Sequence, residues 1–206
     1  MSSLVFYYAP FSSAVTVHWV LEELGIKYEK VKLDLKARDQ DKASFRALNP
    51  NGKVPTLVAD GVSMFESTAI TIWLGETYGV EKKLYPAPGP KRGEALKWIT
   101  WTGVSLGEAF SRYQHNHSDQ IPSDQHNDKA KAAAKKDVDQ LLGILESELT
   151  KNQFLVGDSF SLADLYVASW LSYLQMREYD LSKFPKVVDH AKKAQSRPAY
   201  GVAMSP

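Results

Sequence analysis

The chain has 206 residues, 44% hydrophobic and 24% charged, and this composition excludes disordered, collagen-like and low-complexity proteins. A formal charge of +1 provides no cationic excess for nucleic acid or an anionic membrane, and the absence of cysteine excludes disulfides, thiolate metal sites and a cysteine nucleophile. No apolar run resembles a signal peptide or a membrane span, so we expect a globular protein of the cytoplasm that binds neither nucleic acid nor membrane.

The N-terminal part of the sequence predicts a strand, a helix and a second strand. Residues 3–8 are rich in β-forming side chains, and an apolar stripe at helical spacing follows over 11–24. Val31, Leu33 and Leu35 then alternate with polar residues, as in a half-buried strand. Because a helix connects the two strands, we expect them to pair in parallel through a right-handed crossover.

A hairpin and a helix are predicted next. The segments 54–59 and 62–65 have strand patterns and flank Asp60-Gly61, a dipeptide that tolerates the positive φ angles of a tight turn. The helix begins near Ser67, whose hydroxyl can cap backbone N–H groups, and ends at Gly79. With a connecting segment before the hairpin, the order βαβαββα predicts an α/β domain that is thioredoxin-like in plan.

Strand patterns disappear in the second half of the sequence, where long amphipathic stretches predict an all-α domain. A proline-rich stretch that separates the two parts cannot form a regular helix and indicates a linker. The predicted thioredoxin-like domain, linker and helical domain cover residues 1–80, 81–90 and 91–206. The predicted helices of the last domain cover 91–114, 127–150, 161–178 and 186–196.

The first candidate site is the turn Pro10-Phe-Ser-Ser13, where the first strand runs into the first helix. Backbone N–H groups at a helix start have no internal partner and favour an anion. A serine hydroxyl there could donate to a bound thiolate; lowering a thiol pKa from ~8.5 by about two units needs roughly 3 kcal/mol of thiolate stabilisation. Alternatively, Ser12 or Ser13 simply caps the helix.

The second candidate site is the turn and strand start Asn49-Pro-Asn-Gly-Lys-Val-Pro-Thr-Leu57. Pro55 cannot donate a hydrogen bond to a sheet ladder, so we expect Val54 near a strand edge. A cis peptide bond at Pro55 would point the N–H and C=O of Val54 outward, where an extended peptide could pair with them. The alternative is an edge proline with no ligand.

The third candidate site is Glu66-Ser67, where the second hairpin strand runs into the next helix. That helix start could hold a carboxylate on its N–H groups and on the Ser67 hydroxyl, and Glu66 could face an ammonium group. Acidic and hydroxyl residues are also favoured at any helix start, so an ordinary helix terminus explains this pair as well.

Together these motifs resemble the glutathione S-transferase superfamily of cytosolic type, and the likeness covers essentially the whole chain. The resemblance implies a thioredoxin-like domain that holds glutathione, a helical domain that shapes a pocket for a hydrophobic electrophile, and a homodimer. The matching segments are residues 7–13, 49–55, 65–67 and 157–164.

The same resemblance assigns the glutathione-binding residues. It implies main-chain pairing with the cysteinyl unit, a cis proline, two residues for the γ-glutamyl end and two cations for the glycyl carboxylate. Val54 would pair with the cysteinyl unit, and Pro55 would be the cis proline. Glu66 and Ser67 would hold the γ-glutamyl end, and Lys53 and Arg38 would hold the glycyl carboxylate. The two cations would be explained equally well as solvated surface side chains.

Ser13 is the preferred catalytic residue. The spacing around it resembles the bacterial beta class, in which Ser13 falls on the cysteine of the class, although Ala14 and Gly107 replace the serine and the helix histidine usual there. In other members of the superfamily the catalytic residue is a serine two positions after the proline, and a resemblance to these members would make Ser12 the catalytic residue. Tyr8, near the end of the first strand, is a third candidate, and packing would also explain a tyrosine at this position.

The resemblance places the electrophile between Phe11 and the first helix of the C-terminal domain, where Trp101, Ser105, Glu108 and Arg112 recur at helical spacing. An aromatic surface with polar neighbours suits a flat electrophile. Alternatively, Trp101 belongs to an apolar core, and Glu108 with Arg112 forms a solvated ion pair at i,i+4.

The leading function is therefore conjugation of reduced glutathione to hydrophobic electrophiles, a detoxification reaction that needs thiolate stabilisation and proximity. The alternatives are glutathione-dependent peroxide reduction and a non-catalytic binding or regulatory module. Disulfide exchange is disfavoured because the chain has no cysteine for a mixed disulfide. We expect no metal, since the spacing of His115, His117 and His126 matches no closed zinc motif.

Overall fold

The computed structural model describes residues 3–118 and 121–205. It contains two compact units. The first combines the described residues up to Arg92 with those from Ala194 onward, and the second consists of Gly93–Lys193. The sequence assigned residues 91–206 to the second domain, whereas the described residues from Ala194 onward pack with the first unit.

The first unit contains a four-stranded mixed sheet with the strand order β2-β1-β3-β4. Strands β1 and β2 pair in parallel as predicted, whereas β3 is antiparallel to both β1 and β4. Positive φ angles at Asp60 and Gly61 form the tight hairpin turn. The sheet confirms the predicted thioredoxin-like plan. Its strands are β1 Leu4–Tyr8, β2 Glu29–Lys32, β3 Thr56–Ala59 and β4 Val62–Phe65.

Helices accompany this sheet in the predicted order. Helix α1 begins later than the sequence indicated, because Phe11 has a left-handed φ of 55° and interrupts the helical conformation. Helix α3 continues as a π-helical turn over Gly75–Gly79. The helices are α1 Ala14–Leu24, α2 Ala43–Arg46 and α3 Ser67–Leu74, with a 3₁₀ turn at Asp39–Asp41 before α2.

The C-terminal residues of the first unit form a short helix that the sequence patterns did not indicate, and it packs on α1. The Tyr200 ring lies 4.7 Å from the Trp19 ring, and Arg197 forms an ion pair with Glu23 of α1. Trp19 is fully buried, so this contact is part of the apolar core of the first unit. We number this helix, Pro198–Ala203, α9 because it is the last in the chain.

The second unit is helical, as predicted. Its first predicted helix is interrupted by a π-helical turn over Thr102–Leu106, whereas the other three lie within two residues of their predicted bounds. The helices are α4 Pro90–Trp101, α5 Gly107–His115, α6 Asp128–Lys151, α7 Leu162–Met176 and α8 Pro185–Gln195, two of which extend past the limits of the unit. Among residues 3–118 and 121–205, none of the helices is long and apolar enough to cross a bilayer.

A capping box begins α7, as the spacing of Ser161 and Asp164 predicts. The Asp164 carboxylate is fully buried and accepts hydrogen bonds from the backbone N–H groups of Ser161 and Leu155, at 2.9 and 2.8 Å. Burial raises the pKa of Asp164 and lowers that of His190, which lies 3.8 Å away. The capping box thus fixes the first turn of α7, a helix in which most residues are buried.

Gly107, where the beta-class resemblance predicted a histidine, has no room for a side chain. A Cβ atom built on Gly107 would lie 2.8 Å from Cη2 of Trp170 and 3.4 Å from the carbonyl oxygen of Thr102. The indole of Trp170 therefore fills the space that a side chain on α5 would occupy. This close approach accounts for a glycine at the start of a helix, where its backbone freedom is a disadvantage.

We expect Gly107→Ala to destabilise the protein by about 1–2 kcal/mol, because the added Cβ overpacks against the Trp170 ring. Gly143→Ala is the matched control: Gly143 lies inside α6 with no atom within 4 Å of a built Cβ, so alanine there should gain up to about 1 kcal/mol of helix propensity. Denaturant unfolding measures both. Equal gains at the two positions would show that the Trp170 ring moves aside freely.

His18 on α1 gives the first unit a pH-dependent stability. The imidazole is 3% exposed and lies among the rings of Phe6, Tyr8 and Tyr28. Burial lowers the pKa of His18 below its ordinary value of 6.5, and Lys30 acts in the same direction. The folded protein therefore resists a proton that the unfolded chain accepts.

As the pH falls through 6.5, the unfolded chain should take up a proton at His18 that the folded protein does not, so the free energy of unfolding should decrease. One such histidine contributes at most about 1.4 kcal/mol per pH unit. His18→Asn should reduce this slope in urea unfolding measured between pH 7.5 and 5. An unchanged slope would mean that His18 takes up its proton as readily in the folded protein as in the unfolded chain.

Candidate functional site

The turn before α1 uses its two serines differently. Ser12 Oγ donates a 2.7 Å hydrogen bond to the carbonyl oxygen of Ala9 and accepts a 3.1 Å bond from the N–H of Ala14. The Ser12 hydroxyl thus closes the turn and caps a backbone N–H at the helix start. Ser13 occupies the N-cap position but makes no side-chain capping bond. Of the two roles that the sequence left open, capping therefore falls to Ser12.

The hydroxyl of Ser13 joins the start of α1 to the turn before β3. Ser13 is exposed, and its Oγ donates a 3.0 Å hydrogen bond to the carbonyl oxygen of Val54. The peptide bond between Val54 and Pro55 is cis, as the family resemblance implied. Because a carbonyl oxygen has two lone pairs, Val54 can accept a second hydrogen bond while it holds Ser13. Two of the three candidate sites therefore meet at one hydroxyl.

Asn49 holds the cis-proline turn, and the sequence analysis did not assign it a role. Its side chain is 1% exposed, and Nδ2 donates to the carbonyl oxygen of Lys53 at 2.7 Å and to Thr56 Oγ1 at 3.1 Å. Oδ1 accepts from the N–H of Asn51 at 3.0 Å. One amide group thus fixes both ends of the turn that presents Val54. The known preference of asparagine for such turns could have indicated this role.

Arg46 supports the outer side of the same turn. Its guanidinium donates 2.7 Å hydrogen bonds to the carbonyl oxygen of Pro50 and to Oδ1 of Asp41. A Cβ on Gly52, which has a φ of 61°, would lie 2.5 Å from Cζ of Arg46, so only glycine leaves room for the guanidinium. Hydrogen bonds from Arg46 and then Arg38 lower the pKa of Asp41. Arg38, a predicted glycyl-carboxylate residue, therefore has an acidic partner within the chain.

Glu66 has a backbone conformation that is unusual for a residue with a side chain. Its φ of 69° and ψ of 115° lie in a sparsely populated region, and it occupies the N-cap position of α3 without a side-chain capping bond. Ser67, which was predicted to cap, is the first residue of the helix, so the prediction was displaced by one position. Strained residues persist where the surrounding structure fixes them, and they concentrate at binding sites.

Tyr8 packs within the first unit. Its ring stacks on Phe6 at 5.6 Å, lies 5.8 Å from the His18 ring, and has the Lys30 ammonium 5.9 Å from its centroid. Tyr7, the neighbouring residue of β1, instead contacts Phe45. These contacts favour packing over catalysis for Tyr8, and its catalytic role stays a prediction.

The predicted electrophile residues divide between the two units. Phe11 belongs to the first unit and is 62% exposed, whereas Trp101 of α4 is half-buried in the second. Ser105 lies in the π-helical turn. Such turns are rare in proteins overall, but they are often found at functional sites. Glu108 and Arg112 form the i,i+4 pair at 3.7 Å that the sequence offered as an alternative. Their grouping around an electrophile stays a prediction.

The three histidines of the polar stretch belong to no metal site among the residues that the structure describes. Within residues 3–118 and 121–205, no three histidine or acidic side chains lie close enough together to hold a metal ion. His115 and His117 are exposed, whereas His126 is half-buried. The described part of the chain therefore offers no ligand set for a metal.

Comparisons with known proteins agree with this architecture. The model of the glutathione S-transferase N-terminal domain matches residues 2–76, and the model of the C-terminal domain matches 104–198. A sphingomonad glutathione S-transferase, solved in complex with glutathione, is 30% identical over 97% of this chain and 96% of its own, with a TM-score of 0.83. The chain belongs to the glutathione S-transferase family.

Two further relatives match nearly the whole chain, and one of them is named for a different thiol reaction. The disulfide-bond oxidoreductase YfcG of Escherichia coli K12 is 29% identical, over 96% of this chain and 93% of its own. A glutathione transferase homologue from Lodderomyces elongisporus, solved with two glutathione molecules per subunit, is 25% identical, with a TM-score of 0.87 over 98% of this chain and 97% of its own. Family membership therefore leaves more than one thiol reaction open.

We expect Asn49→Ala to destabilise the protein by about 2–3 kcal/mol, because it leaves the Lys53 carbonyl and the Thr56 hydroxyl without their buried donor. Asn51→Ala is the matched control: it keeps the backbone N–H bond to Asn49 Oδ1 and removes only the 3.1 Å bond from Asn51 Nδ2 to that oxygen, so it should cost less than about 1 kcal/mol. Urea unfolding measures both. Similar losses at the two positions would contradict the role given to the Asn49 amide.

Proposed function

We propose that this protein binds reduced glutathione at the start of α1, stabilises its thiolate and transfers it to a hydrophobic electrophile. The observation that carries the proposal is the exposed Ser13 hydroxyl, 3.0 Å from the carbonyl oxygen of Val54 beside the cis Pro55. A peptide that pairs with the Val54 main chain would bring a side chain close to this hydroxyl. The relatives that were solved with glutathione support the choice of that peptide.

Ser13 acts as the donor to the thiolate. Its hydroxyl has one proton and can therefore donate one hydrogen bond, which in the structure goes to the carbonyl oxygen of Val54. A bound thiolate is a charged acceptor and competes well for this proton, because hydrogen bonds to ionised groups are stronger than neutral ones. The dipole at the start of α1 acts in the same direction. The protein itself forms no covalent intermediate.

The ends of the tripeptide are held by charge. Glu66 faces the ammonium of the γ-glutamyl unit, while Ser67 and the N–H groups at the start of α3 hold its carboxylate. Lys53 and Arg38 attract the glycyl carboxylate. Because Asp41 already lies 2.7 Å from the Arg38 guanidinium, we expect Lys53 to contribute more than Arg38.

The transfer forms one bond and breaks another. The glutathione thiolate attacks an electron-poor carbon, a C–S bond forms, and the leaving group departs with its electron pair. Phe11, Trp101, Ser105, Glu108 and Arg112 are the residues that we propose for the electrophile. Proximity and thiolate stabilisation supply the rate enhancement. As is usual in the family, we propose a homodimer that acts in the cytoplasm.

A second candidate function is reduction of disulfides by bound glutathione, which the similarity to YfcG favours. The sequence argument against disulfide exchange concerned a mixed disulfide with the protein, which a chain without cysteine cannot form. Glutathione supplies the sulfur instead. Its thiolate attacks the disulfide and releases one thiolate, and a second glutathione thiolate attacks the mixed disulfide. The products are oxidised glutathione and two thiols, once the released thiolates take up protons.

We expect Ser13→Ala to raise the apparent pKa of the bound thiol and to lower kcat/KM about tenfold to a hundredfold, since a hydrogen bond to an ionised group contributes about 1.5–3 kcal/mol. Affinity for glutathione should change less. The measurement is the pH profile of kcat/KM with a chlorinated nitroaromatic, together with calorimetric binding of glutathione.

Ser12→Ala is the control for this experiment. It should cost about 1 kcal/mol of stability, because Ser12 closes the turn, but should leave the pKa of the bound thiol unchanged. A profile that moves with Ser12→Ala and not with Ser13→Ala would assign the donor role to Ser12.

The candidate functions differ in three assays on the unmodified protein. Turnover of the nitroaromatic supports conjugation, and NADPH-coupled reduction of a small disulfide supports the second function. Reduction of an organic hydroperoxide would indicate peroxidase activity. Glutathione affinity without any turnover would favour a non-catalytic module, and absence of glutathione binding would overturn the proposal as a whole.

A further inference from the structure

Asn51-Gly52 is the one asparagine–glycine pair in the sequence, and it lies in the turn that presents Val54. Asparagine is chemically labile, most of all where the next backbone nitrogen is accessible, and glycine leaves it accessible because it has no Cβ. Asn51 is exposed, so water and hydroxide reach its side-chain amide. The pair therefore combines the two properties that favour spontaneous loss of the amide group.

The other asparagines of the chain lack this combination. Asn49 precedes Pro50, whose nitrogen has no proton to lose. The remaining three are followed by histidine, aspartate or glutamine, whose side chains shield the next backbone nitrogen. One of these three, Asn152, is exposed at the C-cap of α6. It matches Asn51 in exposure but not in the residue that follows, and so provides a reference within the same chain.

Positive charge beside the turn favours the reaction. The attacking group is the backbone nitrogen of Gly52 after it has lost its proton, and an adjacent cation stabilises such a developing anion. The Arg46 guanidinium lies against Gly52, where a built Cβ would be 2.5 Å from Cζ of Arg46. Lys53 adds a second cation at the next position, whereas Asp41, which binds Arg46 at 2.7 Å, offsets part of the charge.

Hydrogen bonds to Asn49 restrain the same turn. The carbonyl oxygen of Asn49 accepts from the N–H of Gly52 at 2.9 Å. Oδ1 of Asn49 accepts from the backbone nitrogen of Asn51 at 3.0 Å and from its Nδ2 at 3.1 Å. The Gly52 nitrogen cannot reach the Asn51 side chain while these bonds hold both groups in place. Local opening of the turn therefore limits the rate of the reaction.

We propose that Asn51 is a site of spontaneous deamidation, and that its conversion to isoaspartate disables the glutathione site. The second part rests on the proposed function. The Gly52 nitrogen gives up its proton to a solvent base and attacks Cγ of Asn51, so that a C–N bond forms. The bond from Cγ to Nδ2 breaks, and Nδ2 takes a proton from water and leaves as ammonia. Water then opens the succinimide ring at either carbonyl, which gives aspartate or isoaspartate.

Isoaspartate changes the backbone of the turn as well as its charge. It adds a methylene group to the main chain before Gly52, which moves the Gly52 N–H away from the Asn49 carbonyl. The turn that orients Val54 then loses its closing hydrogen bond. The new carboxylate also competes for Lys53, the cation that we propose for the glycyl carboxylate. Aspartate adds this charge on an ordinary backbone, so we expect isoaspartate to weaken glutathione binding more.

The first experiment follows the modification itself. The full chain is incubated at pH 8 and 37 °C without glutathione, and peptide mass spectrometry measures acid formation at each asparagine. We expect acid at residue 51 to accumulate at least tenfold faster than at Asn152. Equal rates at the two positions, or no acid at residue 51, would overturn the assignment of the site. Because glutathione is not needed, this result is independent of the proposed function.

A variant tests the restraint on the turn. Asn49→Ala removes the Oδ1 acceptor and loosens the turn, so acid formation at residue 51 should become at least threefold faster, while the rate at Asn152 should not change. An unchanged rate at residue 51 would contradict the restraint by Asn49. Circular dichroism confirms that the variant is folded under the conditions of the incubation.

The second experiment measures the consequence. Aged protein is separated by ion exchange, the isoaspartate form is identified with an isoaspartate methyltransferase, and calorimetry measures glutathione binding. We expect this form to bind at least tenfold more weakly than the unmodified protein, and Asn51→Asp to lose less. An isoaspartate form that binds as well as the unmodified protein would overturn the second part of the proposal. An equal loss in Asn51→Asp would contradict the role of the backbone.

Asn51→Ala is the control for ageing, since alanine cannot deamidate, and it should keep its initial glutathione affinity throughout the incubation. A parallel loss in this variant would overturn the proposal. If the freshly purified protein bound no glutathione, the proposed function would fail, while the first experiment would still decide the modification. The thermal unfolding midpoint would then report the turn: it should fall in the isoaspartate form, and an unchanged midpoint would contradict the opened turn.

Discussion

The hydrogen bond between the Ser13 hydroxyl and the Val54 carbonyl is the constraint on which the candidate site depends. It joins a helix start to a turn 41 residues further along the chain, so it forms only when β1, α1 and the cis-proline turn are all in place. The site is therefore a product of the whole sheet and of no single motif. A donor and a peptide-pairing strand edge meet at this bond, and the proposed chemistry needs both.

The two sides of this bond are held independently. On one side, Ser12 uses its hydroxyl to close the turn before α1, which leaves Ser13 to face Val54. On the other side, the buried amide of Asn49 binds both ends of the cis-proline turn, and Arg46 braces its outer surface. Preorganisation of this kind matters for thiolate stabilisation, because a donor that is already positioned costs no reorganisation when charge develops.

Local patterns were sufficient for most of the fold and for the outline of the site. Alternating hydrophobicity and the Asp60-Gly61 turn predicted the order of strands and helices in the first unit, whereas the cis bond at Pro55 was expected from the family resemblance. The choice between Ser12 and Ser13 was not accessible in this way, because both fit the same capping pattern. Only the contact with Val54, distant in sequence, distinguishes them.

Other features escaped prediction for the same physical reason. The sequence showed that Gly107 replaces an expected histidine, but not that Trp170 fills the space. Glu66 has backbone angles that no local pattern in the sequence indicated. The π-helical turns and the short helix α9 lack a local periodicity of their own.

The docking of α9 on α1 means that the first unit is assembled from two stretches of chain, with about a hundred residues of the second unit between them. A folded second unit fixes the distance between the points where the chain leaves and re-enters the first unit. Unfolding it would turn this insert into a flexible loop and lower the effective concentration of α9 at α1. The two units are thus coupled in stability through the connectivity of the chain.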